Sequence, residues 1–212
     1  MNLRYAASFC IGVLLFFAGC YPDGPEYIED LDTVATLHDP EFDFTSVGTF
    51  AIPDSVVKIT GNLEEGEPVE FVRQVYASTI AQSIRENMER YGWTEVDRED
   101  DPDMIILPSA MQVTNIYYDY WYWGGGYWNW WYPYPWWGWY YPYPVVDIDA
   151  YSTGSVFILM TYPDGITAAD NIPVVWTGIF NGLLEGSTTS ISSRITNNIE
   201  QAFDQSPYLT VN

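Results

Sequence analysis

The stretch Phe71–Trp93, FVRQVYASTIAQSIRENMERYGW, decides the fold class. Phe71, Val72, Val75, Tyr76, Ile80, Ile84 and Met88 recur at spacings of three and four, the period that gathers apolar residues on one face of an α-helix. Arg73, Gln82, Arg85, Glu86 and Glu89 fall mostly elsewhere. Gly92 stands where a helix is closed by a left-handed residue, a conformation glycine adopts without a Cβ penalty. One helix is therefore predicted in the first half of the chain.

Outward from it the period changes to two. Ahead lies the polar loop Glu64-Glu65-Gly66-Glu67-Pro68. Earlier still, Val34, Thr36 and His38 alternate with Thr33, Ala35 and Leu37, as in a strand. The turn Asp39-Pro40-Glu41 leads to Phe42, Phe44 and the short apolar run Thr49-Phe50-Ala51-Ile52. Beyond the helix, Trp93 to Val96 predicts a short strand and Asp97 to Asp103 a charged turn. Met104 to Tyr118 predicts a long strand, with Pro108 marking an edge or bulge. Ser155–Tyr162 and Val174–Phe180 are further strands, and Pro163-Asp164-Gly165 carries turn chemistry. A last helix spans about Ser187 to Gln205, since Ile191, Ile195 and Ile199 share a face that Ala202 and Phe203 extend, and Pro207 stops it. Strands joined largely by hairpins, with helices over one face, predict an α+β fold. The sheet is expected to be mostly antiparallel, with two helices packed on one face and an aromatic-rich insert loop.

The amino terminus gives an address. Arg4 precedes an apolar stretch from about Phe9 to Ala18, and Phe17-Ala18-Gly19-Cys20 ends it. This layout resembles a bacterial lipoprotein signal, in which the cysteine is acylated and becomes the new first residue. The apolar run is too short for a spanning helix, which needs roughly 20 residues. Residues 1–19 are thus expected to be a signal peptide, Cys20 the lipidation site, and 20–32 an acidic tether. Glu26, Glu29, Asp30 and Asp32 favour an extended tether by mutual repulsion, with a reach of at most about 40 Å. Residues 33–212 are expected to form a single α+β domain. Cleavage before Cys20 removes Cys10, and lipid occupies Cys20, so no disulfide is expected and stability must come from a core.

The formal net charge of −22 excludes one class of partner. Nucleic acid requires Lys and Arg to neutralise phosphates, and the chain has seven in all. The same charge repels anionic head groups, so attachment to a membrane is expected through the N-terminal lipid.

Several motifs recur in an order and spacing that resembles envelope lipoproteins carrying domain of unknown function family 4136. They are Asp39-Pro40-Glu41-Phe42-Asp43-Phe44 followed by Val47-Gly48-Thr49-Phe50, the helix ending in Tyr91-Gly92-Trp93, Asp101-Pro102-Asp103 before a strand, and Val175-Trp176-Thr177-Gly178 before the closing helix. The resemblance covers roughly Thr33 to Leu209 and implies a periplasm-facing or outer-membrane lipoprotein domain. It carries no reaction over.

Tyr117 to Pro144 departs from ordinary composition, and the insert as a whole runs over about 117–146. Eight of the ten Trp lie there (Trp121, Trp123, Trp128, Trp130, Trp131, Trp136, Trp137 and Trp139), and Asp119 is the only charge. Tyr132-Pro133-Tyr134-Pro135 recurs as Tyr141-Pro142-Tyr143-Pro144, which favours turn or polyproline structure over a ladder. Trp and Tyr pair a flat apolar body with a polar tip and suit half-wet interfaces. Four readings of the eight Trp follow: contact with lipid head groups, stacking on a glycan with help from Asn129 or Asp119, burial by a partner protein, and folding back to close the core.

Catalytic chemistry is not expected. His38, the only His, lies beside Asp39, but no motif marks a nucleophile for it. Asp97, Glu99, Asp100, Asp101 and Asp103 are dense enough to suggest calcium, yet they lack the Gly and closing Glu of the helix–loop–helix pattern. Asp147 and Asp149 share one side of a strand, but no nucleotide-binding loop accompanies them, and Gly124-Gly125-Gly126 is followed by neither Lys nor a helix. No metal and no cofactor are expected. The sequence therefore reads as a non-catalytic lipoprotein at the outer membrane, facing the periplasm, with an envelope protein, a membrane or a glycan as the contact of its aromatic insert.

Overall fold

Alternation along three strands divides the interior into two cores. In the computed structural model these are β6 (Met104–Met111), β8 (Val156–Thr161) and β9 (Asn171–Asn181), and β6 and β8 are buried along their whole length. Met104, Ile106 and Ala110 of β6, with Val156, Ile158 and Met160 of β8, face one cluster. Ile105, Leu107 and Met111, with Phe157 and Leu159, face the other. A strand buried on both faces needs a cover on each side. The structure describes residues 33–60, 68–111, 127–128, 130–131, 142, 154–181, 183–184 and 188–211, with backbone alone at 138–140 and 188–189. The expected signal peptide, Cys20 and the tether lie outside these residues, as do 64–67 of the polar loop.

The first cover is helical. Helix α1 (Gln74–Arg90) buries Tyr76, Ala77, Ile80, Ile84 and Met88. Helix α2 (Thr188–Asp204) adds Ile191, Ile195, Ile199, Ala202 and Phe203 to the same cluster. Both helices pack on one face, as the spacing predicts. The Tyr91 hydroxyl donates to the Phe203 carbonyl at 2.7 Å, and Arg90 pairs with Asp204, so the two helix ends are tied together. Gly92 closes α1 at φ +93°, and a Cβ there would stand 2.7 Å from the Val211 carbonyl oxygen.

The remaining strands are β1 (Thr33–His38), β2 (Thr49–Ala51), β3 (Val57–Ile59), β4 (Glu70–Phe71), β5 (Thr94–Glu95) and β7 (Gly138–Tyr140). The main order is β1-β9-β8-β6-β2-β5; β3 pairs with β6 and β4, and β7 pairs with β9. The fold is α+β, but the sheet is mixed rather than mostly antiparallel. Pairs β1–β9, β9–β8, β8–β6 and β3–β4 are antiparallel. Pairs β2–β6, β2–β5, β3–β6 and β7–β9 are parallel. Parallel neighbours need a crossover connection, and α1 supplies one between the early strands and β5 and β6.

Two motif residues acquire reasons in this frame. Pro108 lies inside β6, not at a sheet edge. There β6 changes partner from β2, which pairs at Met104 and Ile105, to β3, which pairs from Ser109, so a missing N–H is tolerated. The Trp176 indole folds over Gly178, where a Cβ would stand 2.7 Å from Cη2 of the indole and 3.1 Å from Cε2 of Phe180. The indole N–H donates to the Ser206 hydroxyl at 3.0 Å, satisfying a buried polar group.

Candidate functional site

The second cover comes from the aromatic insert. Tyr127 and Trp128 are 3% and 1% exposed and belong to the cluster of Val57, Ile105, Leu107, Phe157, Val174 and Ile179. The Thr60 N–H donates to the Tyr127 hydroxyl at 3.3 Å, and the Trp131 N–H donates to the Trp128 carbonyl at 3.0 Å, which makes a tight turn. Arg98 holds the turn from the charged β5–β6 connection. Its Nη1 donates to the Trp131 carbonyl at 2.7 Å, and its guanidinium lies over the Trp131 ring at 5.8 Å.

That turn buries one indole and leaves its stacked neighbour exposed. Trp130 stacks beside buried Trp128 at 6.3 Å but is itself 41% exposed. Its ring meets Phe71 edge to face at 5.0 Å and 88°, a favoured aromatic geometry. Phe71 is 44% exposed and Val75 is 48% exposed. These three are the exposed large apolar side chains among the described residues. Phe71 was expected on the buried face of the helix but belongs to β4, ahead of it. Val75 sits one position before buried Tyr76, about 100° round the helix, on the stripe of exposed Gln74 and Ser78.

Of the eight Trp read as a contact surface, Trp128 is corrected: it lies beneath the surface as part of the core, because the apolar face of β3, β6 and β8 needs a cover. Trp130 lies outside, and Trp131 is half-buried under Arg98. The backbone of Trp139 lies in β7, paired with Ile172. Trp121, Trp123, Trp136 and Trp137 fall outside the described residues, as do Asp119, Gly124 to Gly126, Asn129, Asp147 and Asp149.

The cations around this surface are unevenly paired. Lys58 bridges to Glu70, the neighbour of Phe71, at 3.1 Å. Arg73 lies over the Tyr76 ring at 5.1 Å and makes no ion pair among the described residues. It is also the N-cap of α1, where no side chain bonds the first turn and no acid lies within it. Arg85, on the far side, is clamped by Asp54 at 2.8 Å and Glu95 at 2.9 Å.

Four of the other sequence candidates have described surroundings. His38 stacks on Tyr208 at 3.8 Å, and burial outweighs the attraction of Asp39 to hold its pKa below the usual histidine value. Within the acidic turn, Asp103 accepts from the N–H groups of Gly48 and Thr49 and from the Thr49 hydroxyl, at 2.8 to 2.9 Å. Burial alone would raise its carboxyl, but these hydrogen bonds outweigh it and leave the pKa below the ordinary aspartate value. Glu99 pairs with Arg98, and Asp101 occupies a left-handed position at φ +49°. No group of three or more potential metal ligands occurs among the described residues. No helix among them is long and apolar enough to cross a membrane. Sequence reasoning missed the Phe71–Trp130 contact, whose only local signal is an aromatic residue just ahead of the helical period.

Comparison with known proteins bears on the fold more than on this surface. The family model described as a domain of unknown function (DUF4136) matches residues 34–208. A solved DUF4136 family protein from Bacteroides thetaiotaomicron is 29% identical at a TM-score of 0.65, covering 84% of this chain and 97% of that one. The PelC dodecamer from Paraburkholderia phytofirmans aligns at 12% identity and a TM-score of 0.40, over 85% of this chain and 99% of that one. No curated protein matches the chain.

Proposed function

The chain belongs to the DUF4136 family, a domain of unknown function, and from that premise we propose a non-catalytic, lipid-anchored envelope protein that makes contacts through its aromatic insert. Cys20 carries the lipid, and the domain stands at the outer membrane facing the periplasm. One observation supports the contact reading above the others. The insert is rooted by a buried Trp128 and still turns Trp130 outward against an exposed Phe71. A segment that served only to close the core would gain by burying both rings, since each fully buried large side chain contributes roughly 1.5–3 kcal/mol. An exposed apolar group held in fixed geometry is what contact surfaces present.

The non-catalytic reading draws support from two of the candidate groups. Among the described residues His38 makes no hydrogen bond to a nucleophile, and Asp103 is engaged by the backbone of β2. Two measurements test the proposal. Mass spectrometry of the exported protein is expected to find a diacylglyceryl group on Cys20; an unmodified thiol would sink the anchor. Photo-crosslinking from a reactive analogue in place of Trp130, in intact cells, is expected to give adducts with an envelope component. Adducts absent from position 130 but present at an arbitrary surface position would sink the contact reading.

A further inference from the structure

Building on that contact reading, we infer that the Phe71–Val75–Trp130 patch docks on the phospholipid head-group layer, with Arg73 and the open first turn of α1 meeting a lipid phosphate. The apolar part is an exposed Phe, Val and Trp, residues that lie favourably at the boundary between head groups and acyl chains. The charge distribution points to the occupant. The chain carries 29 acidic and seven basic residues, so a random surface patch is acidic. Here three of the seven cations occur, two of them each matched by a carboxylate (Lys58 by Glu70, Arg98 by Glu99), which leaves Arg73 as the unmatched charge among the described residues. Lys58 is joined to Glu70 beside Phe71, Arg98 is bonded to the turn that carries Trp130, and Arg73 stands between Phe71 and Val75.

Arg73 is the decisive member. It has no carboxylate partner among the described residues, in a protein with a large excess of carboxylates. Its position at the N-cap adds its charge to the positive end of a 17-residue helix dipole whose first turn contains no acid. Backbone N–H groups there have no side-chain cap. An anion flanked by apolar surface fits this arrangement, and a phospholipid supplies both in one layer. An acidic protein partner would supply the anion, but the overall charge of this chain would oppose its approach. A zwitterionic bilayer presents phosphate with no net charge, so the acidic remainder of the domain is not repelled.

The test floats the chain from Tyr21 onward, without the expected signal peptide and Cys20, with phosphatidylcholine vesicles, which removes both the lipid and the apolar leader from the measurement. The parent is expected to float with the vesicles, and Phe71→Asp combined with Val75→Asp is expected to lower partitioning by about tenfold or more. Arg73→Glu, which changes no apolar surface, is expected to lower it several-fold, and circular dichroism checks that each variant is folded. A parent that does not float, or variants that float equally well, overturns the inference. If flotation fails while crosslinks from position 130 reach an envelope protein, the lipid assignment falls and the contact reading stands. If both fail, both fall.

Discussion

The two faces of the sheet are closed in different ways. On one, α1 and α2 cover the sheet with side chains placed by helical period, and Ile80, Ile84, Ile195 and Ile199 are fully buried. On the other, the described cover is a single turn carrying Tyr127 and Trp128, held by Thr60 and Arg98. The helical face distributes its burial over many residues, so no single one decides it. Among the described residues the insert face is covered by Tyr127 and Trp128, and the same turn exposes the next Trp, Trp130. Under the proposed function, that arrangement lets a structural cover double as a contact surface.

The strongest way to break the comparison is Trp128→Ala. Loss of a fully buried indole is expected to cost about 3–5 kcal/mol, read as a lowered urea midpoint. Ile195→Ala on the helical face is expected to cost about 2–5 kcal/mol and to leave the protease resistance of the turn at Tyr127 and Trp128 intact, whereas Trp128→Ala removes it. Equal protease sensitivity in the two variants would erase the distinction between the faces. Gly178→Ala tests the sheet between them. Its new methyl meets the Trp176 indole and the Phe180 ring, and overpacking of about 1–3 kcal/mol is expected by thermal unfolding. A neutral result would mean that the rings give way freely.

Asp103 sharpens the comparison through pH. Its folded pKa is depressed, so its contribution is present above the unfolded value of about 3.9 and is lost as pH falls through the lower folded value. Asp103→Asn is expected to cost about 1–2 kcal/mol at neutral pH and to flatten the fall in stability below about pH 4. Urea midpoints across that range check it, and an unchanged acid limb would remove Asp103 from the account. The smallest expected effect is Trp130→Ala, under about 1 kcal/mol in stability, because the ring is already 41% exposed. A loss as large as that of Trp128→Ala would make Trp130 part of the core after all.

Legibility in the sequence followed periodicity. Both helices and β1 follow from spacings of three and four or of two, β8 and β9 from short apolar runs, and the α+β class from their order. The parallel pairs were not readable, because partner choice depends on how α1 carries the chain across the sheet. Val75 carried an apolar label, but its angle round the helix places it outside. Trp128 and Trp130 sit in a stretch without a period, so nothing local distinguishes the ring that goes in from the one that stays out. Five acids between Asp97 and Asp103 look equivalent in sequence. Only the long-range approach of Gly48 and Thr49 singles out Asp103.

The pairing of β1 has a consequence for how the chain is made. Its partner among the described residues, β9, is the last strand, on the order of 140 residues downstream. During vectorial synthesis the first strand waits unpaired until nearly all of the polypeptide has emerged. The early-formed nucleus must therefore lie elsewhere, and closing the seam between first and last strands is what completes the native state.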